Sequence, residues 1–157
     1  MPGTKFGPKV GEDTATNAIL RKLAILVPLY YLFYYIIALI VSAAFGTAID
    51  GKEPFDFVAF NPGLGGRDAA VWTSYFLMLL VNAALVYFVG RSTKMSFDYV
   101  LTLAFIHFIL SMLVMLSFPV NWVYWVTAIL GNGGAAVIAE LSCYYLRDMR
   151  SIKVEHE

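Results

Sequence analysis

The chain has 157 residues, of which 60% are hydrophobic and 14% charged, against about 45–50% and 25% in an ordinary soluble domain. Eleven Lys and Arg balance eleven Asp and Glu, and there is one cysteine. A disordered chain, a basic nucleic-acid binder and a disulfide-stapled secreted domain are therefore excluded. With a mean hydropathy of +0.72, this is a small integral membrane protein whose first partner is the lipid bilayer.

Residues 1–20 read as a cytosolic tail. They hold no short apolar run with a small-residue cleavage site, and Met1-Pro2 is not a myristoylation start. The first membrane helix is thus expected to be the targeting signal. Four apolar stretches then reach the roughly 20 residues that a bilayer demands of a helix, at about 24–45, 69–89, 99–118 and 122–146. Lipid offers no hydrogen-bond partners, and uninterrupted runs of this length are not barrel strands. The fold class is an all-α membrane protein, a four-transmembrane-helix bundle over 21–146. Residues 147–157 form a second tail.

The basic residues set the expected orientation. Lys5, Lys9, Arg21 and Lys22 precede the first helix, Arg91 and Lys94 join the second to the third, and Arg147, Arg150 and Lys153 follow the fourth. Only Lys52 and Arg67 fall on the other side. Cytosolic loops carry the Lys/Arg excess, so both termini are predicted to be cytosolic.

Along the first helix Tyr30, Tyr31, Tyr34 and Tyr35 stack at i, i+4 spacing. Hydroxyls so deep need partners, so the stripe should face the other helices. Pro28 is placed in the first turns, where its missing N–H costs little. The lumenal loop 46–68 carries Phe55, Phe57 and Phe60, and two readings stand: a short segment capping the bundle, or a plain loop whose rings dip into lipid. Pro119-Val120-Asn121 alone links helices three and four, predicting a tight antiparallel hairpin.

Two ionisable residues, His107 and Glu140, and two asparagines, Asn82 and Asn132, lie inside the spans. At 1.5 Å per residue from the hairpin, His107 lies about 16 Å deep and Asn132 about 15 Å. They should face each other, with Glu140 nearer the cytosolic interface. A buried ionisable group is a candidate for proton-relay chemistry; the structural alternative is a contact that fixes helix register. Gly131, Ala135, Ala139 and Cys143 form a small-residue ridge for close helix packing. No catalytic motif, cofactor fingerprint or metal-ligand set is present.

The ordered residues Phe97-Asp98-Tyr99, Thr102, His107, Phe118-Pro119, Trp125, Ala136-Val137-Ile138, Glu140 and Cys143 resemble the Sys-one family of Golgi four-span membrane proteins. Tyr34-Tyr35, Phe55-Asp56, Gly66-Arg67 and Tyr87-Phe88 extend the resemblance to residues 30–146. Where the family carries an Asp-Pro pair this chain reads Ala18-Ile19-Leu20-Arg21, and an expected Gln is Tyr31. The resemblance implies a non-enzymatic multi-pass protein of the trans-Golgi membrane. It implies a receptor or scaffold that recruits an ARF-related small GTPase, with an acetylated N-terminus, in support of vesicle trafficking. On that reading the cytosolic partner surface comprises Arg91, Lys94, Asp98, Arg147 and Arg150. Two other readings fit the composition: a small proton-linked transporter using His107 and Glu140, and an accessory subunit of a larger membrane complex.

Overall fold

A computed structural model describes residues 16–60, 63, 65–90 and 93–148, with the backbone alone described at 93, 94, 147 and 148. Four helices long and apolar enough to cross a membrane account for most of it. Helix α1 spans Thr16–Ala44, α2 Gly66–Leu85, α3 Thr93–Met115 and α4 Trp122–Cys143. Two π-helical turns, Val86–Gly90 and Tyr144–Asp148, prolong α2 and α4. A 3-10 turn at Glu53–Phe55 lies in the long first loop. No strand occurs among the described residues.

Helix boundaries follow hydrogen bonding rather than hydropathy alone. Helix α1 is already helical at Thr16, the first described residue and eight residues ahead of its expected apolar span, because a helix continues past the hydrocarbon wherever nothing breaks it. Pro28 is consequently well inside α1, where it removes one i to i−4 hydrogen bond. Membrane helices tolerate this when neighbouring helices cover the freed carbonyl.

Alternating helices bring both ends of the described chain to one face, called here the terminal face. There Lys22 Nζ donates to the Gly90 carbonyl at 2.9 Å, a cation at the helix end where the macrodipole is negative. Ser96 Oγ and Cys143 Sγ meet at 3.2 Å, which sets the level of α4 against the start of α3. The opposite end is the loop face.

The connection from α3 to α4 is longer than the expected three residues. Helix α3 stops at Met115, Leu116 has a φ of 50°, and the link runs to Asn121. That left-handed residue turns the chain before Pro119. Asn121 then caps α4, its Oδ1 accepting from Val123 N at 3.0 Å, while its Nδ2 donates to the Phe60 carbonyl at 2.9 Å. Trp125 Nε1 fastens the turn by donating to the Pro119 carbonyl at 2.8 Å. Asn121→Ala should lower stability by about 1–2 kcal/mol, since it removes a cap and a loop tie. Asn121→Asp keeps the cap acceptor but has no donor for Phe60, so its loss should be smaller. Thermal melts of both variants in mild detergent compare the two contributions.

The core runs along the bundle axis through Leu26, Tyr34, Met78, Val100, Leu103 and Ala136. The predicted small-residue ridge is in place: Ala135, Ala139 and Cys143 are buried. At Gly131 an added Cβ would lie 2.4 Å from Leu79 Cδ1. The α2 side chain Leu79 therefore packs directly over the glycine, in space that any larger residue would share.

Candidate functional site

The first loop folds back into the bundle. Tyr35 lies nine residues before the end of α1, about 13 Å along the axis, yet its hydroxyl donates to the Gly51 carbonyl at 2.8 Å. The turn Glu53–Phe55 thus re-enters the space between the helices. Phe57 and Phe60 are buried, 3% and 1% exposed. The capping reading of the aromatic loop is the one observed. Irregular backbone at this depth is tolerated because protein surrounds it.

Loop chemistry explains why it stays there. Asp56 accepts from the backbone N–H groups of Val58 and Ala59, both at 3.0 Å. Its other oxygen accepts from Arg67 Nη2 at 3.0 Å, joining the loop to the first turn of α2. Arg67 also lies 3.6 Å from Asp50. Phe60 packs edge-on against Tyr75 of α2 and Tyr124 of α4, at centroid distances of 5.3 and 5.4 Å. Such pairs add about 0.5–1.5 kcal/mol beyond burial.

Under this plug sits His107, 3% exposed. Five aromatic rings surround it, those of Tyr30, Tyr31, Tyr34, Phe55 and Tyr75, with centroids 5.6–6.0 Å away. The Tyr31 hydroxyl lies 3.3 Å from His107 Nδ1. Ser111 Oγ donates its hydrogen to the His107 carbonyl at 2.8 Å and lies a long 3.5 Å from Nε2. A hydroxyl has one hydrogen, so Ser111 can only accept from Nε2–H, which leaves Nδ1 to accept from Tyr31. A single neutral tautomer satisfies both sides of the ring. Tyr31, where the resemblance expects Gln, is thus a working partner of the histidine.

The predicted polar residues are brought together only in part. His107 and Asn132 do not bond directly; Tyr75 stands between them. Its ring lies 5.9 Å from the imidazole, and its hydroxyl accepts from Asn132 Nδ2 at 2.9 Å. Asn82 is buried with its Oδ1 lacking a hydrogen-bond partner among the described residues, apart from that network. Glu140 lies less than one turn from Cys143, towards the terminal face as expected, but it is exposed on the outer surface of α4. A buried His107–Glu140 couple is therefore not formed, because the two side chains point to opposite environments.

Of the terminal-face residues, Asp98 is exposed in the second turn of α3. Arg91 and Arg150 lie outside the described residues, as do the side chains of Lys94 and Arg147.

Glu53 escapes the sequence reading. It is 3% exposed and accepts a 2.6 Å hydrogen bond from Ser42 Oγ of α1. It is a buried carboxylate contributed by a loop, and the only sequence signal for it is its place beside the Phe55, Phe57 and Phe60 rings. No cluster of three His, Cys, Asp or Glu residues suited to a metal ion occurs among the described residues. The arrangement is a packed and hydrogen-bonded plug, suited to holding four helices in register.

Comparison with known proteins places the chain. The SYS1 family model, an integral membrane protein linking to the trans Golgi network, matches residues 12–154. The Protein SYS1 homolog of Dictyostelium discoideum is 26% identical over 116 residues, 73% of this chain and 49% of that protein. The chain spans about half the length of that curated relative. No solved structure matches.

Proposed function

Since the chain belongs to the SYS1 family of integral membrane proteins of the trans Golgi network, we propose that it is a Golgi receptor for an ARF-related small GTPase. Its terminal face would be cytosolic. The family match across nearly the whole chain is the observation that carries this reading. The bundle supports it physically. The loop face is closed by the aromatic plug, while the terminal face is held to a defined shape by the Lys22–Gly90 and Ser96–Cys143 contacts. An acetylated, apolar N-terminal segment on the GTPase would bind membrane weakly, since even a myristoyl chain anchors only marginally. A protein surface supplies the second contact.

On this reading Asp98, with Arg91, Lys94, Arg147 and Arg150, forms the docking surface, and the lysines and arginines also touch anionic lipid. Charge reversal separates docking from lipid binding. Asp98→Lys adds positive charge, so lipid attraction rises by about 1 kcal/mol per charge near the surface, whereas specific docking suffers. The variant should remain in the Golgi and recruit several-fold less GTPase, as measured by co-isolation in mild detergent. Undiminished recruitment by Asp98→Lys, and also after neutralising Arg91 and Lys94, would remove this surface from the proposal.

A further inference from the structure

We infer that the groove between α3 and α4 seats one transmembrane helix of a different protein, carrying a hydrogen-bond donor at mid-membrane and a Lys or Arg towards the terminal face. The groove is a cavity of about 410 Å³ lined by Leu101, Phe105 and Phe108 of α3 and by Trp125, Ile129 and Gly133 of α4. Most of its lining is apolar, as expected of a surface in contact with lipid. Tyr124, Asn132 and Tyr75 also line it, and Asn132 and Tyr75 form a bonded polar pair among them.

Both polar residues are buried, at 9% and 4% exposure, and both keep unused hydrogen-bonding capacity. Asn132 Nδ2 donates to the Tyr75 hydroxyl at 2.9 Å and to the Ala128 carbonyl at 2.8 Å. A carbonyl only accepts, so the orientation of the amide is fixed. Its Oδ1 accepts from no described residue, and the hydrogen of Tyr75 has no described acceptor. This pair therefore offers the cavity one acceptor and one donor. Asn132 is ten residues from Trp122, about 15 Å along the helix and half-way through a hydrocarbon core of about 30 Å. Lipid headgroups do not reach that level. A side chain on a second membrane helix does.

Two further features lie along the α4 side of the groove, Gly133 in its lining and Glu140 beyond it. A Cβ built on Gly133 meets nothing within 4 Å, so this glycine serves no packing within the chain, unlike Gly131. It is an outward notch of the kind that lets two membrane helices approach closely. Glu140 is seven residues further on, close to two turns, and so continues the same edge of α4. It is exposed and has no partner among the described residues. Ionisable groups in membrane helices are nearly always paired, and the complement of a carboxylate is a cation. A second copy of this chain is a poor occupant, because copies in one membrane share a topology and would bring Glu140 against Glu140.

This site lies within the membrane and is distinct from the proposed cytosolic docking surface. The full chain, labelled with a donor fluorophore and reconstituted in phosphatidylcholine vesicles, tests it against synthetic membrane helices. One probe is a Leu/Ala helix of about 20 residues with a central Gly-Ser and a Lys near one end; the control has neither. The polar probe should associate roughly tenfold more tightly by energy transfer. Gly133→Leu should abolish that preference without lowering the melting temperature. Glu140→Lys should weaken the Lys probe and strengthen a matching Glu probe. Equal binding of probe and control, or indifference to both substitutions, overturns the inference. So does energy transfer between two copies of the chain that Gly133→Leu removes. Equal labelling of the groove by photoactivatable phosphatidylcholine with and without saturating probe overturns it as well, because lipid is then the occupant.

Discussion

Phe60→Ala should destabilise the protein by about 3–4 kcal/mol, the usual cost of leaving a ring-sized hole in a packed interior. Phe60 is 1% exposed and lies edge-on to Tyr75 and Tyr124, so its loss also removes two aromatic pairs. Val58 is two residues away in the same loop but 68% exposed, and Val58→Ala should change stability by no more than about 0.5 kcal/mol. The measurement is a thermal melt in mild detergent, paired with limited proteolysis of the loop. The variant's loop should be cleaved at temperatures where the parent resists. Equal melting of the two variants would mean that the loop does not hold the bundle.

The second large effect distinguishes two nearby glycines. A side chain at Gly131 meets Leu79 at once, whereas one at Gly134 meets nothing within 4 Å. Gly131→Ala asks only the flexible end of Leu79 to move, but Gly131→Val adds a β-branched side chain that α2 must accommodate. Overpacking of this kind costs about 1–3 kcal/mol, so Gly131→Val should fall at the upper end. Gly134→Ala should be neutral or slightly stabilising, since alanine is the better helix former. Yield of monodisperse protein and melting temperature report both. A similar loss at the two positions would contradict the observed packing of α2 on α4.

The helices were legible because a membrane span is a matter of length and apolarity, which composition reports directly. Their ends were not, since Thr16 to Leu23 remain helical for reasons of backbone hydrogen bonding that hydropathy does not register. The small-residue ridge of α4 followed from i, i+4 spacing, but the tyrosine stripe did so only in part: Tyr30 and Tyr34 are buried, Tyr31 is half-buried and Tyr35 is exposed. The plug was only half legible. Phe55, Phe57 and Phe60 marked the loop as aromatic, but a segment with Glu53, Pro54 and Asp56 also reads as solvated. Tertiary partners remote in sequence, Ser42, Tyr35, Arg67, Tyr75, Asn121 and Tyr124, decide that it enters the bundle. Depth counting placed His107 and Asn132 at one level but could not reveal the Tyr75 ring between them. It located Glu140 along α4 and gave no information on which way it faces.

The residues that carry the family resemblance gain a physical meaning here. Phe55, Asp56 and Arg67 fasten the plug, His107 stands beneath it, and Trp125 secures the turn into α4. They hold the plug and the turn into α4 in place within the bundle.

Recruitment to vesicles is the decisive measurement of whether the chain is a GTPase receptor. The full chain is reconstituted in neutral lipid, and an acetylated ARF-related GTPase is added in its GTP-bound form, with protein-free vesicles as the reference. The GTPase should float with vesicles containing the chain, little with protein-free vesicles, and several-fold less with those carrying Asp98→Lys. Equal flotation with and without the chain would contradict the receptor reading.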